Sequence, residues 1–186
     1  SCRVCGKSNL RKVLTLGPTP PANAFLTESQ SNQGEKFYPL DVYFCKNCGF
    51  LQLGHVISPQ ILFKDYLYVS STSKVFVNHF EQFAATVYPK LNLNYRSLVV
   101  DIGSNDGILL KPFKKMGTRV LGIEPAVNVA KMARAFGIET VSEFFSQKLA
   151  LEIVKKYGQA DLVTATNVFA HIDDLDEVIK GLKILL

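Results

Sequence analysis

Val99-Val100-Asp101-Ile102-Gly103-Ser104-Asn105-Asp106-Gly107 is an apolar run that ends in an acid and then in spaced glycines. This is the pattern of a buried parallel strand turning into a helix. Gly103 and Gly107 carry no side chain, so the backbone can turn tightly there and approach a ligand at the strand's carboxyl end. Val120-Leu121-Gly122-Ile123-Glu124 gives a second apolar strand ending in an acid, Glu124, seventeen residues after Gly107. An acid at that place accepts hydrogen bonds from ribose hydroxyls, which sets a nucleoside across the two strand ends. Asn105 stands where the dinucleotide fingerprint has its middle glycine, and Asp106 puts a negative charge at the expected helix start. An acid at a helix N-terminus disfavours a phosphate, so a cationic, phosphate-free nucleoside fits better.

From Leu98 onward the chain alternates. Strands are expected near 98–102, 119–123, 138–141 and 161–166, with helices near 106–116, 126–136 and 146–157 between them and a final helix carrying Leu175, Val178, Ile179, Leu182 and Leu186. That order predicts an α/β fold, a parallel sheet with crossover helices. Ligands bind such sheets at the strands' carboxyl ends, where Asp101, Glu124 and Ser142-Glu143-Phe144-Phe145 converge and where Asn167 and His171 follow the fourth strand. Phe144 and Phe145 read equally as core. Upstream, Phe76, Phe80, Phe83, Ala84 and Val87 form the stripe of a helix over Lys74 to Tyr88, with His79 off the stripe.

Cys2-Arg3-Val4-Cys5-Gly6 and Cys45-Lys46-Asn47-Cys48-Gly49 are two C-x-x-C-G knuckles. In each, a tight turn points two thiolates at one metal, and two knuckles complete a tetrahedral four-sulfur site. Zinc is the first assignment and iron the rival. Two disulfides, or redox pairs, are the other readings; neither pair opens the helix of a βαβ unit. A closed four-thiolate site leaves no position for substrate, so the metal is read as structural. Residues 1–57 are expected to form a small metal-stapled β domain. It has short strands at Val13–Leu16, Phe37–Phe44 and Phe50–Leu53, a rigid turn at Gly17-Pro18-Thr19-Pro20-Pro21 and an exposed loop over Thr27–Lys36. Residues 58–96 read as a linker and helical segment, and 97–186 as the Rossmann-like domain.

The chain has 186 residues and a net charge of +5, without a basic run. Nucleic acid is therefore not the favoured partner. No apolar stretch spans a membrane and the start is no signal peptide, which predicts a cytoplasmic protein.

Asp101-x-Gly103-x-Asn105-x-Gly107 followed by Glu124 resembles the cofactor site of S-adenosylmethionine-dependent methyltransferases. Read with the cysteine knuckles, the chain resembles the zinc-containing sugar C-methyltransferases that act on nucleotide-linked keto-deoxysugars. The resemblance implies that Asp101, Gly103, Asn105, Gly107, Glu124, Phe145 and Asn167 hold the cofactor. It implies that Tyr68, from the segment Asp65-Tyr66-Leu67-Tyr68-Val69-Ser70, and His171 face the sugar. It also implies further strands, and a C-terminal domain with a tyrosine–glutamate–histidine cluster that has no match in these residues. By that reading the chain is the N-terminal part of an enzyme, with an open sheet edge suited to self-association or to docking the missing part. Two other functions fit the same features. One is a zinc-containing RNA methyltransferase, although Asn167-Val168-Phe169 is not the Asn-Pro-Pro-aromatic turn of base-amine methylation. The other is a non-catalytic zinc-bearing interaction module.

Overall fold

In the computed structural model, residues 1–22, 24–63, 66 and 69–186 are described. Tyr68 lies outside these residues. The chain divides into two compact units, Ser1–Phe63 with Asp173–Leu175, and Lys64–Ile172 with Asp176–Leu186.

The first unit is an antiparallel sheet of three strands in sequence order, β1 (Leu10–Thr19), β2 (Tyr38–Cys45) and β3 (Leu51–Leu53), followed by one short helix, α1 (Pro59–Phe63). β1 is longer than the apolar residues suggest, because it runs on through Gly17-Pro18-Thr19, read above as a turn. An edge strand can absorb those residues. Its register against β2 slips between Lys12 and Leu14 and again between Thr15 and Pro18, and a proline at an edge need not donate to the ladder. Thr27–Lys36 is exposed, as expected of a polar loop. Among the described residues 1–63, the only buried apolar side chains are Cys2 and Cys45. The strands pair well, but they enclose no hydrocarbon core.

The second unit is a four-stranded parallel sheet. After the helix α2 (Lys74–Lys90) come β4 (Leu98–Ile102), α3 (Leu110–Lys115), β5 (Arg119–Ile123), α4 (Val127–Ala135), β6 (Thr140–Val141), α5 (Gln147–Tyr157), β7 (Leu162–Thr164) and α6 (Leu175–Leu185). The spatial order is β6-β5-β4-β7, with β4 and β5 central and every pair parallel. β4 is buried at all five positions because helices cover both faces of the sheet. On one face Val99 packs with Phe80 and Ala84 of α2, Leu110 and Phe113 of α3, and Ile138. On the other, Leu98, Val100 and Ile102 pack with Leu149, Ala150 and Ile153 of α5 and with Leu185 of α6. Ser73 and Ser146 cap α2 and α5 by accepting the Phe76 and Leu149 N–H groups.

One expected boundary is wrong by a whole turn. α3 begins at Leu110, not near 106, because Asn105 (φ 50°) and Gly107 (φ 80°) hold left-handed backbone that an α-helix cannot continue. Asp106 therefore belongs to the loop, where its carboxylate is fully buried, and not to the helix N-terminus. Likewise β6 begins at Thr140, two residues later than expected, because Gly137 and Ile138 finish the turn that closes α4.

Candidate functional site

Cys2 and Cys5 lie before β1, Cys45 ends β2, and Cys48 lies in the turn into β3. Backbone bonds shape both knuckles: Gly6 N–H donates to Cys2 O at 2.9 Å and Gly49 N–H to Cys45 O at 2.9 Å. The four Sγ atoms all lie within 4.8 Å of one another, with Cys2–Cys48 and Cys5–Cys45 each at 3.6 Å. A tetrahedral ion with metal–sulfur bonds of about 2.3 Å requires sulfurs about 3.8 Å apart, so the cluster fits one such ion. The thiol chemistry agrees. The Cys5 backbone N–H brings Cys2 down to about 6. Cys48 is lowered by the Phe50 backbone N–H, but burial and the neighbouring sulfurs outweigh that and push it up to about 12. Four sulfurs packed this closely share protons badly and a divalent cation well. Gln52 braces the site from β3, accepting the Arg3 N–H at 2.9 Å and donating to Ser1 O at 3.1 Å.

In the second unit the two strand-end acids are both buried, Asp101 at 3% exposure and Glu124 at 5%. Asp101 lies on the Val99 face of β4. Its register partner on β7 is Thr164, whose Oγ1 donates to Asp101 Oδ1 at 2.7 Å. Burial pushes the Asp101 carboxyl up to about 7; the Thr164 bond lowers it, and the Glu124 charge raises it further. Glu124 is raised by burial too, against the Ala126 and Asn105 backbone N–H groups that hold it down. Those two groups give Glu124 a part the sequence reading lacked. Oε1 accepts the Ala126 N–H at 2.9 Å and Oε2 the Asn105 N–H at 2.9 Å, so the carboxylate staples the loop after β4 to the start of α4. Pro125 has no N–H to offer, which leaves Ala126 as the first donor downstream.

Asp106 pairs through Oδ2 with Lys111 Nζ at 3.3 Å, and Lys111 also sits over the Phe136 ring at 4.0 Å. Asp106 Oδ1 and Ser104 Oγ are buried without a hydrogen-bond partner. An unmade bond of this kind costs about 1–3 kcal/mol, so a loop with two of them, beside a carboxyl raised by desolvation, has hydrogen-bonding capacity that a polar, cationic ligand would fit. S-adenosylmethionine carries a sulfonium, an ammonium and ribose hydroxyls and fits this donor demand.

Gly103 (φ 70°) and Gly107 (φ 80°) are needed both for their backbone and for room. A Cβ on Gly103 would meet Val168 Cγ2 at 2.5 Å, and one on Gly107 would meet Ile138 Cγ1 at 2.9 Å. The close approach is thus to the chain's own side chains. Gly107→Ala is expected to destabilise the fold by about 2–4 kcal/mol, the sum of a left-handed alanine and an overpacked Ile138, as measured by denaturant unfolding. The Val168 contact also brings the turn after β7 against the glycine loop. Asn167 (φ 56°) and His171 are exposed on that turn, His171 closing the short helical turn Phe169–His171. Phe145 is partly buried: it packs on the face that holds Leu98 and Leu185, and an added Cβ on Gly181 would meet its ring at 3.0 Å. Of the two phenylalanines Phe144, at 42% exposure, is the one open to solvent.

Thr164 and Lys111, the partners of Asp101 and Asp106, were not singled out by sequence reasoning. Thr164 could be found only from the pairing of β4 with β7, which nothing local encodes.

Two families match the chain in succession. Residues 2–63 match one described as "Putative zinc binding domain", and residues 77–186 match one described as "Methyltransferase domain". The chain belongs to this methyltransferase family. The zinc-binding match ends where the first compact unit ends, at residue 63. A C-methyltransferase of Streptomyces niveus, NovU, is 38% identical over 185 residues, 100% of this chain and 44% of that protein. A ubiquinone biosynthesis O-methyltransferase of Methylobacterium sp. (strain 4-46) is 31% identical over 83 residues, 44% of this chain and 33% of that protein. The chain thus spans less than half the length of these curated relatives. Among solved structures, a magnesium protoporphyrin IX methyltransferase of Synechocystis PCC 6803 with bound SAM gives a TM-score of 0.45 at 20% identity, over 68% of this chain and 63% of that one. No helix among the described residues is long and apolar enough to cross a membrane.

Proposed function

We propose that this chain supplies the metal-stapled part and the methyl-donor site of a C-methyltransferase that acts on a nucleotide-linked keto-deoxysugar. The observation that carries this reading is the similarity to a C-methyltransferase over the whole chain, in a protein whose two central strands end in buried acids. The sugar rests on the resemblance of the cysteine module and the tyrosine segment to the zinc-containing sugar methyltransferases.

Bound S-adenosylmethionine supplies an electrophilic methyl group. Asp101, Gly103, Asn105, Gly107 and Glu124 hold it at the carboxyl ends of β4 and β5. Asn167 adds a polar group from the turn after β7. A ketone acidifies the carbon beside it. A base takes the proton there and leaves the electron pair on the carbon as an enolate; that carbon would take the methyl group as the methyl–sulfur bond of the sulfonium breaks and the pair stays with the departing thioether. His171, on the same edge of the sheet, carries that proton or donates to the enolate oxygen, and Tyr68 faces the sugar. The protein's larger contribution is positioning, since bringing two bound partners into line removes most of the entropic barrier. A cluster that binds metal through four thiols needs them reduced, which supports a cytoplasmic location.

The test is a calorimetric titration of S-adenosylmethionine into zinc-loaded protein, beside Asp101→Ala and Glu124→Ala, on this chain and on a chain extended at its C-terminus. Binding by the wild type that weakens at least tenfold in both variants supports the reading, as expected when hydrogen bonds to charged groups are lost. A folded, extended chain that gives no binding overturns it.

A further inference from the structure

Asn105 departs from the glycine that the fingerprint would place there, and its contacts explain why. It holds a left-handed backbone (φ 50°), a conformation that asparagine tolerates far better than most side chains. Glycine would serve that geometry equally well but has no acceptor to offer. Asn105 uses its side chain: Oδ1 accepts the Ser70 backbone N–H at 2.9 Å, while its own N–H donates to Glu124 Oε2 at 2.9 Å. The residue is 9% exposed, so both bonds are shielded from competing water. A second asparagine acts in parallel from the neighbouring strand end. Asn128, in the first turn of α4, donates its Nδ2 to the Tyr66 backbone carbonyl at 2.7 Å. The loop after β4 and the helix after β5 each reach out by one amide, one to the backbone of Ser70 and the other to the backbone of Tyr66.

We propose that Asn105 is a positioning residue that links occupancy of the methyl-donor site to the backbone at Ser70, so that the donor binds first and fixes the segment that then receives the sugar. The inference rests on the proposed function for the identity of both ligands. The physical route is short. A ligand hydroxyl bonded to Glu124 restrains the carboxylate, the carboxylate restrains the Asn105 N–H, and the Asn105 side chain restrains Ser70. Ser70 opens the turn Ser70–Thr72 that leads into α2, whose N-cap is Ser73, so a restraint at Ser70 acts on a segment anchored at its far end. Both gripped groups belong to the backbone, so the linkage does not depend on which side chains the segment carries.

The experiment follows hydrogen exchange at the Ser70 amide with and without saturating S-adenosylhomocysteine, and measures binding of that probe by calorimetry in the same samples. Three proteins are compared: wild type, Asn105→Gly, which keeps the left-handed backbone and removes the side-chain amide with its acceptor, and Asn105→Asp, which keeps the backbone and an acceptor oxygen. In the wild type the probe is expected to slow exchange at Ser70 about three- to tenfold, the worth of one hydrogen bond. At probe concentrations that saturate each protein, whatever the substitution does to affinity, Asn105→Gly is expected to show no slowing at Ser70 and Asn105→Asp to restore it. If the probe binds and Ser70 slows equally in the wild type and in Asn105→Gly, the linkage is overturned while the methyl-donor reading stands. If a folded wild type does not bind the probe at all, the reading fails and the linkage with it.

Discussion

Cys45→Ser is expected to abolish stoichiometric metal binding and to unfold residues 1–63, while the parallel sheet of residues 98–164 stays folded. The first unit has no other source of stability of comparable size. Among its described residues the buried apolar side chains are Cys2 and Cys45, both ligands, while Leu14, Leu16, Phe37 and Leu51 are each at least half exposed. Three paired strands without a core are marginal in water, whereas a structural four-thiolate zinc site contributes roughly 10–16 kcal/mol in small modules. Loss of the ion therefore decides between folded and unfolded. The ligands should not be equal. Cys48 is exposed, so Cys48→Ser leaves three thiolates and a place that water can fill; its loss of affinity is expected to be smaller than that of Cys45→Ser. Elemental analysis should give one zinc per chain, and the absence of visible absorbance separates zinc from iron. The check is thermal unfolding followed by far-ultraviolet circular dichroism, with and without chelator. A strand signal that survives chelation and Cys45→Ser would mean that the sheet holds itself together.

The order of elements was legible in the sequence because each has a periodicity of its own. β4 and β5 read as continuous apolar runs, α2 as a stripe, and the knuckles as paired spacings. What was illegible depends on contacts between distant residues. The late start of α3 is set by the left-handed Asn105, and an asparagine in a sequence does not announce its φ. The full length of β1 depends on bulges that let Gly17 and Pro18 lie beside β2. Phe145 was balanced between base and core, and its packing partner, Gly181, comes from a helix thirty-odd residues away in sequence. Glu124 was read as pointing outward to a ligand, but it first satisfies two backbone N–H groups of its own chain. These partners come mostly from distant parts of the chain, which no local pattern encodes.

Asp101→Asn is expected to stabilise the ligand-free protein above neutral pH and at the same time to weaken its hold on S-adenosylmethionine. Burial raises the Asp101 carboxyl from 3.8 to about 7, so the folded protein keeps a proton that the unfolded chain has already released. Stability that depends on this group is therefore fully present below about pH 4 and is lost as pH rises to about 7, where the folded protein must also ionise it. Glu124 is shifted in the same direction and adds to the same slope. The asparagine never ionises. It can still accept the Thr164 hydroxyl, so it avoids a cost of roughly 4 kcal/mol at most above pH 7, read as a melting temperature higher by several degrees. The wild type tolerates that cost because a buried, ionised carboxyl with one bonded neighbour is a strong acceptor for a cationic ligand. Binding should accordingly weaken about tenfold between pH 8 and pH 6 in the wild type, as a proton competes for Asp101 with the ligand. In Asp101→Asn it should be weaker by about 10- to 100-fold at pH 8 and nearly flat across the same range. Calorimetry at the two pH values, run in buffers of different ionisation heat, also reads the proton released on binding. A variant that is more stable but binds with the wild-type affinity and pH dependence would show that the raised carboxyl belongs to the packing of β4 against β7 and has no part in holding the methyl donor.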